Sequence, residues 1–274
     1  MGKVISFCSP MHGTSTTANL MAVGICLAAD YGKSVLLMQT HFTLNNMELP
    51  LIGDVTKTNE DLFYQNTGLD AVIRLYKSGK LTEDTVRNAV VNIGDTGHLA
   101  VLAGTKQQVK ETYDNARDNG VIEVVIRELK KYYDYVLIDT NAGFSEQTRS
   151  AMNQSDAVVF NLRQNRKEVE TLLENDEVKG ILEAGGKKRQ AFYLFGSHSE
   201  DSKYNLQNMR RAFGAIKRSN SGAIGFSPMY MDAFSDLCVY SRLMAVSDQA
   251  RTIEKQEPDE WWSQVTAFAG LIDG

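Results

Sequence analysis

Seven short apolar runs, with helix-forming stretches between them, constrain the fold more than any other feature of the sequence. They are VISFC (4–8), SVLLMQ (34–39), HLAVLAG (98–104), YVLIDT (135–140), AVVFNL (157–162), QAFYLFG (190–196) and GAIGFS (222–227). Nearly continuous apolar runs of this length read as strands covered on both faces. Segments of helical period lie at 15–30, 107–131, 146–154, 165–184, 203–214 and 229–243. Residues 58–92 also read as helical and form an insertion after the second strand. Alternating strands and helices predict an α/β fold, a doubly wound, mostly parallel sheet flanked by helices.

The chain is long enough for a substantial core, with 274 residues of which 43% are hydrophobic. Only four prolines occur, and no repeat or low-complexity linker divides it, so residues 1–274 read as a single domain. A net charge of −5 argues against nucleic acid as the main partner. The basic clusters GKKRQ (186–190) and RRAFGAIKR (210–218) read as solvated faces. The longest nearly apolar run, residues 18–29, is shorter than the roughly 20 residues of a membrane-spanning helix. The opening MGKVISFC leads into a strand rather than a secretory leader, so a cytoplasmic address is expected. Cys8, Cys26 and Cys238 lie far apart, with neither a disulfide framework nor zinc spacing. The segment 258–274 carries Asp259, Glu260 and Asp273 but no base. It reads as a packed helix with Trp261 or Trp262 in the core or at a subunit contact, not as a membrane-surface helix.

In sheets of this kind, ligands bind beyond the carboxyl ends of the strands. Three stretches qualify: 9–17, 39–46 and 139–143. The first begins the dodecapeptide SPMHGTSTTANL, which hands a strand to a helix. Such a junction binds phosphate through the unpaired N–H groups of the first helical turn. Glycines let the loop wrap, a lysine neutralises charge, and a Ser/Thr hydroxyl reaches Mg2+. GTSTT (13–17) supplies hydroxyls and N–H groups but no lysine. Read by itself, Ser15 or Thr16 serves equally well as a helix cap. His12 reads as a turn residue, His41 as a loop residue, and Asp139 alone as a loop cap.

Together these stretches resemble the ParA/MinD family of P-loop ATPases, whose loop reads K-G-G-x-G-K-[ST]-T. Aligning the final Thr pair with Thr16-Thr17 puts Ser15 in the place of the P-loop lysine and Pro10 in that of the signature lysine. The following TTANLMAVGICLA is similar to the family's first helix. VLLMQTHFTLNNMEL resembles the D-x-D…L-x-N-L-D segment, with Gln39 and His41 in place of the two aspartates. YDYVLIDTNAGFSEQTRSAMNQSDAVVFNLRQN resembles the Walker-B region, with Asp139 at the acid. AIGFSPMYMDAFSDLCVYSR resembles a late family segment, and the likeness covers residues 3–245. NLRQN (161–165) and SKYNLQN (202–208) look most like the TadZ/CpaE branch found beside Tad-type pilus, secretion and conjugation systems.

The resemblance implies a P-loop NTPase fold of SIMIBI/MinD type. It implies ATP or ADP at Gly13, Thr14, Ser15, Thr16, Thr17 and Asp139, with Mg2+ on Thr16 and Asp139. Both lysines being absent, it implies a degenerate site that holds nucleotide weakly or not at all and hydrolyses it slowly or not at all. Losing one preorganised donor costs about 10²–10³ in rate, and no residue is assigned to catalysis. It further implies a homodimer that recruits a protein of a pilus, secretion or conjugation apparatus and is drawn to that membrane-associated machine. An active ATPase with unusual loop chemistry and a ParA-type DNA-partitioning protein are the alternatives. The missing lysines count against the first and the negative charge against the second.

Overall fold

The computed structural model describes residues 2–40, 47–52, 66–94, 97–105, 120–184, 188–225 and 260–274. The strands are β1 (Lys3–Ser9), β2 (Val35–Gln39), β3 (Val91–Ile93), β4 (Leu99–Leu102), β5 (Tyr135–Ala142), β6 (Ala157–Leu162), β7 (Gln190–His198) and β8 (Ser221–Gly225). They form one eight-stranded sheet in the order β3-β4-β2-β5-β1-β6-β7-β8. All pairings are parallel except β3 with β4. The helices are α1 (Thr16–Ala29), α2 (Glu48–Ile52), α3 (Gly68–Lys77), α4 (Glu83–Ala89) and α5 (Val121–Leu129). They continue with α6 (Glu146–Gln154), α7 (Arg166–Glu174), α8 (Asp176–Glu183), α9 (Leu206–Ala212) and α10 (Glu260–Asp273).

All seven apolar runs form strands, and their alternation sorts side chains between two faces. Ile5 and Phe7 of β1 pack with α1 and α10, while Val4 and Cys8 pack with helices on the other side. Helix α1 is buried without interruption from Asn19 to Ala28. A helix apolar on all sides must be covered on all sides, and here the sheet lies beneath it and α10 above. The Trp262 indole N–H donates to Asp30 at 3.0 Å, and the Tyr31 hydroxyl donates to the Thr266 carbonyl at 3.2 Å. Asp273 accepts from Tyr135 at 2.8 Å and pairs with Lys33 at 3.0 Å. The segment read as a packed helix is therefore one, with both tryptophans buried.

Three expectations need correction. The stretch 107–131 is not one helix, because α5 begins at Val121 after left-handed Gly120 at φ 67°, and residues 106–119 lie outside the described residues. The stretch 165–184 is two helices, because Asn175 ends α7 and its side chain caps α8 by accepting from the Val178 N–H at 3.0 Å. Asparagine prefers such caps to helix interiors. The stretch 58–92 ends in β3, an antiparallel edge strand of three residues, too short to show a period. The expected helix at 229–243, together with His41 and Cys238, lies outside the described residues.

Candidate functional site

Adjacent strands β1 and β5 send their chains to opposite faces, β1 into α1 and β5 into α6. This is the switch point where a doubly wound sheet opens a crevice. Register brings Gln39 of β2 and Phe7 of β1 to either side of Asp139. Gly13, Thr14, Ser15, Thr16 and Thr17, which follow β1, lie at the same end of the sheet as Asp139.

The loop between β1 and α1 is held in a fixed shape. The Ser9 hydroxyl donates to the Met11 carbonyl, and the Ser9 carbonyl accepts from the Gly143 N–H at 2.8 Å. Gly13 takes φ +77°, a conformation that L side chains rarely adopt. Thr14 is buried, and its hydroxyl pairs with that of Thr16 at 2.9 Å. Ser15 precedes the helix in the left-handed region, φ 60° and ψ 28°, and its side chain makes no cap bond. Its hydroxyl instead meets that of Ser197 at 3.0 Å, on β7. Ser197 is also left-handed, φ 53°. Left-handed backbone at a non-glycine residue costs on the order of 1–3 kcal/mol and gathers at functional sites.

The hydroxyl that reaches the acid is Thr17, which donates to Asp139 Oδ2 at 2.7 Å. Thr16 does not make this contact. Asp139 is 1% exposed, and burial pushes its carboxyl up to about 7 against the opposing pull of the Thr17 hydrogen bond. Its Oδ1 has no hydrogen-bond partner among the described residues. Two neighbouring groups share that condition. Gln39 donates to the buried Glu48 carboxyl at 3.2 Å but leaves its own Oε1 unpartnered. Asn161 accepts from Asn19 at 3.0 Å but leaves Nδ2 unpartnered. Buried polar atoms are nearly always satisfied. Orphans at the ends of β2, β5 and β6 therefore mark a place for polar ligand atoms or ordered water. Glu48 also accepts from the Gly104 N–H, and burial pushes its carboxyl up.

Strand β7 backs the loop closely at Gly196. A Cβ there would lie 2.6 Å from the Thr14 carbonyl oxygen and 2.9 Å from Asn19 Nδ2. Gly196→Ala is expected to push the loop off its seat at a cost of about 1–3 kcal/mol. Urea unfolding measures this, and an unchanged midpoint contradicts the close backing. Neither Gly196 nor Ser197 was selectable from sequence, since their roles depend on a strand some 180 residues downstream of the loop. The same strand end carries His198, whose Nε2 accepts from the Leu206 N–H at 3.0 Å. Burial lowers its pKa, and it anchors the turn into α9.

A mostly parallel sheet, a strand–loop–helix junction at its switch point and a hydroxyl in the first turn of α1 bonded to an acid of β5 match the fold of the MinD/ParA class of P-loop ATPases. No family model matches the sequence. The chain is 27% identical over 187 residues to the septum site-determining protein MinD of Synechocystis, covering 67% of this chain and 60% of that protein. It thus spans about three-fifths or less of the length of the curated relatives it matches. MinD of Pyrococcus horikoshii, solved in complex with Mg-ADP, superposes with a TM-score of 0.69 at 16% identity, covering 100% of this chain and 96% of that one. The MinC:MinD cell division complex of Aquifex aeolicus gives 0.65 at 19% identity, covering 100% and 96%. Among the described residues, no helix is long and apolar enough to cross a membrane.

Proposed function

We propose that the chain is a MinD/ParA-like positioning or assembly protein with a weakened nucleotide site. Its target is a protein of a Tad-like pilus, secretion or conjugation apparatus, which it engages as a homodimer. The observation that carries the nucleotide reading is the Thr17–Asp139 bond at the switch point. In P-loop proteins the Ser/Thr that immediately follows the lysine works with the strand-end acid on Mg2+. Counting back from Thr17 places Thr16 at the lysine, Ser15 at the glycine before it, and Met11 at the signature lysine. This register differs by one from the alignment on the Thr pair. It accounts for the left-handed Ser15, which stands where the pattern has glycine.

The donor set fits a divalent cation. Asp139 offers an unpartnered buried oxygen, with the Thr17 hydroxyl on its other oxygen. Asp139 and Thr17 would hold Mg2+, whereas the Thr16 hydroxyl is turned to Thr14. When bound, Mg2+ supplies charge neutralisation to the phosphates. The chain's own part is to present α1 N–H groups to a phosphate and to fix the loop through Ser9, Gly143 and Ser197. Without either lysine, the site binds without efficient phosphoryl transfer. The segments NLRQN and SKYNLQN support the Tad-like branch, and the MinC:MinD complex supports engagement of a protein partner.

Calorimetric titration with Mg·ATP and Mg·ADP, beside a phosphate-release assay, tests the reading. Sub-millimolar binding with phosphate release at background is expected. Tight micromolar binding coupled to steady release overturns the weakened site. Absence of binding in the natural chain, in Thr16→Lys and in Ser15→Lys overturns the nucleotide site itself.

A further inference from the structure

The loop has lost its lysines, yet a cation rests against it. Arg163 is the first residue after β6, the strand that pairs with β1 on the side away from Asp139. Its Nη2 donates to the Met11 sulfur at 3.2 Å. Its Nε donates to Glu168 Oε2 at 3.0 Å. The Glu168 side chain is 1% exposed, whereas that of Arg163 is 41% exposed. The carboxylate is thus fixed in the protein and orients a guanidinium whose outer edge faces solvent. Asn165 caps α7 by accepting from the Lys167 and Glu168 N–H groups, at 3.0 and 3.4 Å, which fixes Glu168 in turn.

We infer that Arg163 is the surrogate cation of the loop and binds the phosphates of a nucleotide held at the α1 N-terminus. The inference rests on the nucleotide reading above. Two observations carry it. First, a thioether sulfur is a weak acceptor, so the Nη2–Sδ contact is readily exchanged for a phosphate oxygen. A guanidinium fork suits that oxygen better than any other side chain. Second, in the register fixed by Thr17, Met11 stands at the signature lysine. The guanidinium therefore lies beside the residue whose positive charge is missing. That the crevice takes a ligand is indicated separately by the unpartnered Asp139 Oδ1 and Asn161 Nδ2.

The test uses the full chain and a Thr16→Lys background, in which binding is strong enough to measure. Mg·ATP is titrated into the natural chain, Thr16→Lys, and Thr16→Lys combined with Arg163→Gln, Arg163→Lys or Glu168→Gln. Melting curves accompany each variant, because Arg163→Gln leaves Glu168 buried without its partner. Arg163→Gln is expected to weaken binding about tenfold and to flatten its salt dependence. Arg163→Lys should recover part of the loss. Glu168→Gln, which frees the guanidinium from its carboxylate, should tighten binding severalfold. A purely structural pair predicts the opposite, weaker or unchanged binding in Glu168→Gln. Unchanged affinity and salt dependence in folded Arg163→Gln overturn the inference and leave the nucleotide site standing. Absence of binding in the natural chain, Thr16→Lys and Ser15→Lys alike overturns the site on which the inference rests.

Discussion

Thr16→Lys is expected to tighten Mg·ATP binding by roughly tenfold to a hundredfold, whereas Ser15→Lys is expected to leave it unchanged or weaken it. A charge-assisted hydrogen bond contributes about 1.5–3 kcal/mol, which sets the range. The two substitutions differ because neighbouring residues in the loop face different ways. Ser15 is left-handed and turned to Ser197 on β7. A lysine there inherits an unfavourable backbone and loses the contact that seats the loop. Thr16 begins the helix with ordinary helical geometry, one residue before the hydroxyl on Asp139. Calorimetry on the two variants decides the register. A gain in Ser15→Lys with none in Thr16→Lys restores the alignment on the Thr pair and removes the basis for placing Met11 at the signature lysine.

Asp139→Asn is expected to stabilise the nucleotide-free, metal-free chain at pH 8 by roughly 2–4 kcal/mol and to leave its stability at pH 4 nearly unchanged. Burial raises the Asp139 carboxyl from its ordinary 3.8 to about 7. Between those values the folded chain keeps the proton that the unfolded chain has given up. Folded molecules therefore bind more protons there, and stability falls as pH rises from about 4 to about 7. Above that window the native chain holds an ionised carboxylate in a buried place, and asparagine removes that cost. Urea midpoints at the two pH values measure the effect. An equal shift at both removes ionisation as its cause. The same substitution should abolish Mg2+-dependent nucleotide binding, so that stability and ligand affinity move in opposite directions.

Much of this architecture is legible in the residues. Apolar runs near AVVFNL and YVLIDT fall on β6 and β5, because a strand buried on both faces has little choice but continuous aliphatic and aromatic side chains. Helix α6 spans 146–154 as read, marked by Ser145, whose hydroxyl caps it by accepting from Thr148. The positions of the loop and its acid were legible too, since the one follows an apolar strand and the other lies in the carboxyl-terminal half of one. What escaped depends on contacts distant in sequence. Thr16 and Thr17 are chemically the same and adjacent, so only the approach of Asp139, 122 residues away, distinguishes them. Arg163 lies in a stretch already singled out, but its place against Met11 follows from β6 lying next to β1. The edge strand β3 carries only VNI and borrows its order from β4.

The covering of α1 by α10 has a consequence for how the molecule is made. A helix apolar on every side cannot stay exposed to water without seeking another partner. Residues 16–29 leave the ribosome more than 200 residues before their lid, residues 260–273. During synthesis α1 thus waits uncovered until the far segment docks on it. A chaperone hold on the nascent chain, or a partner surface that mimics α10, would supply the missing cover.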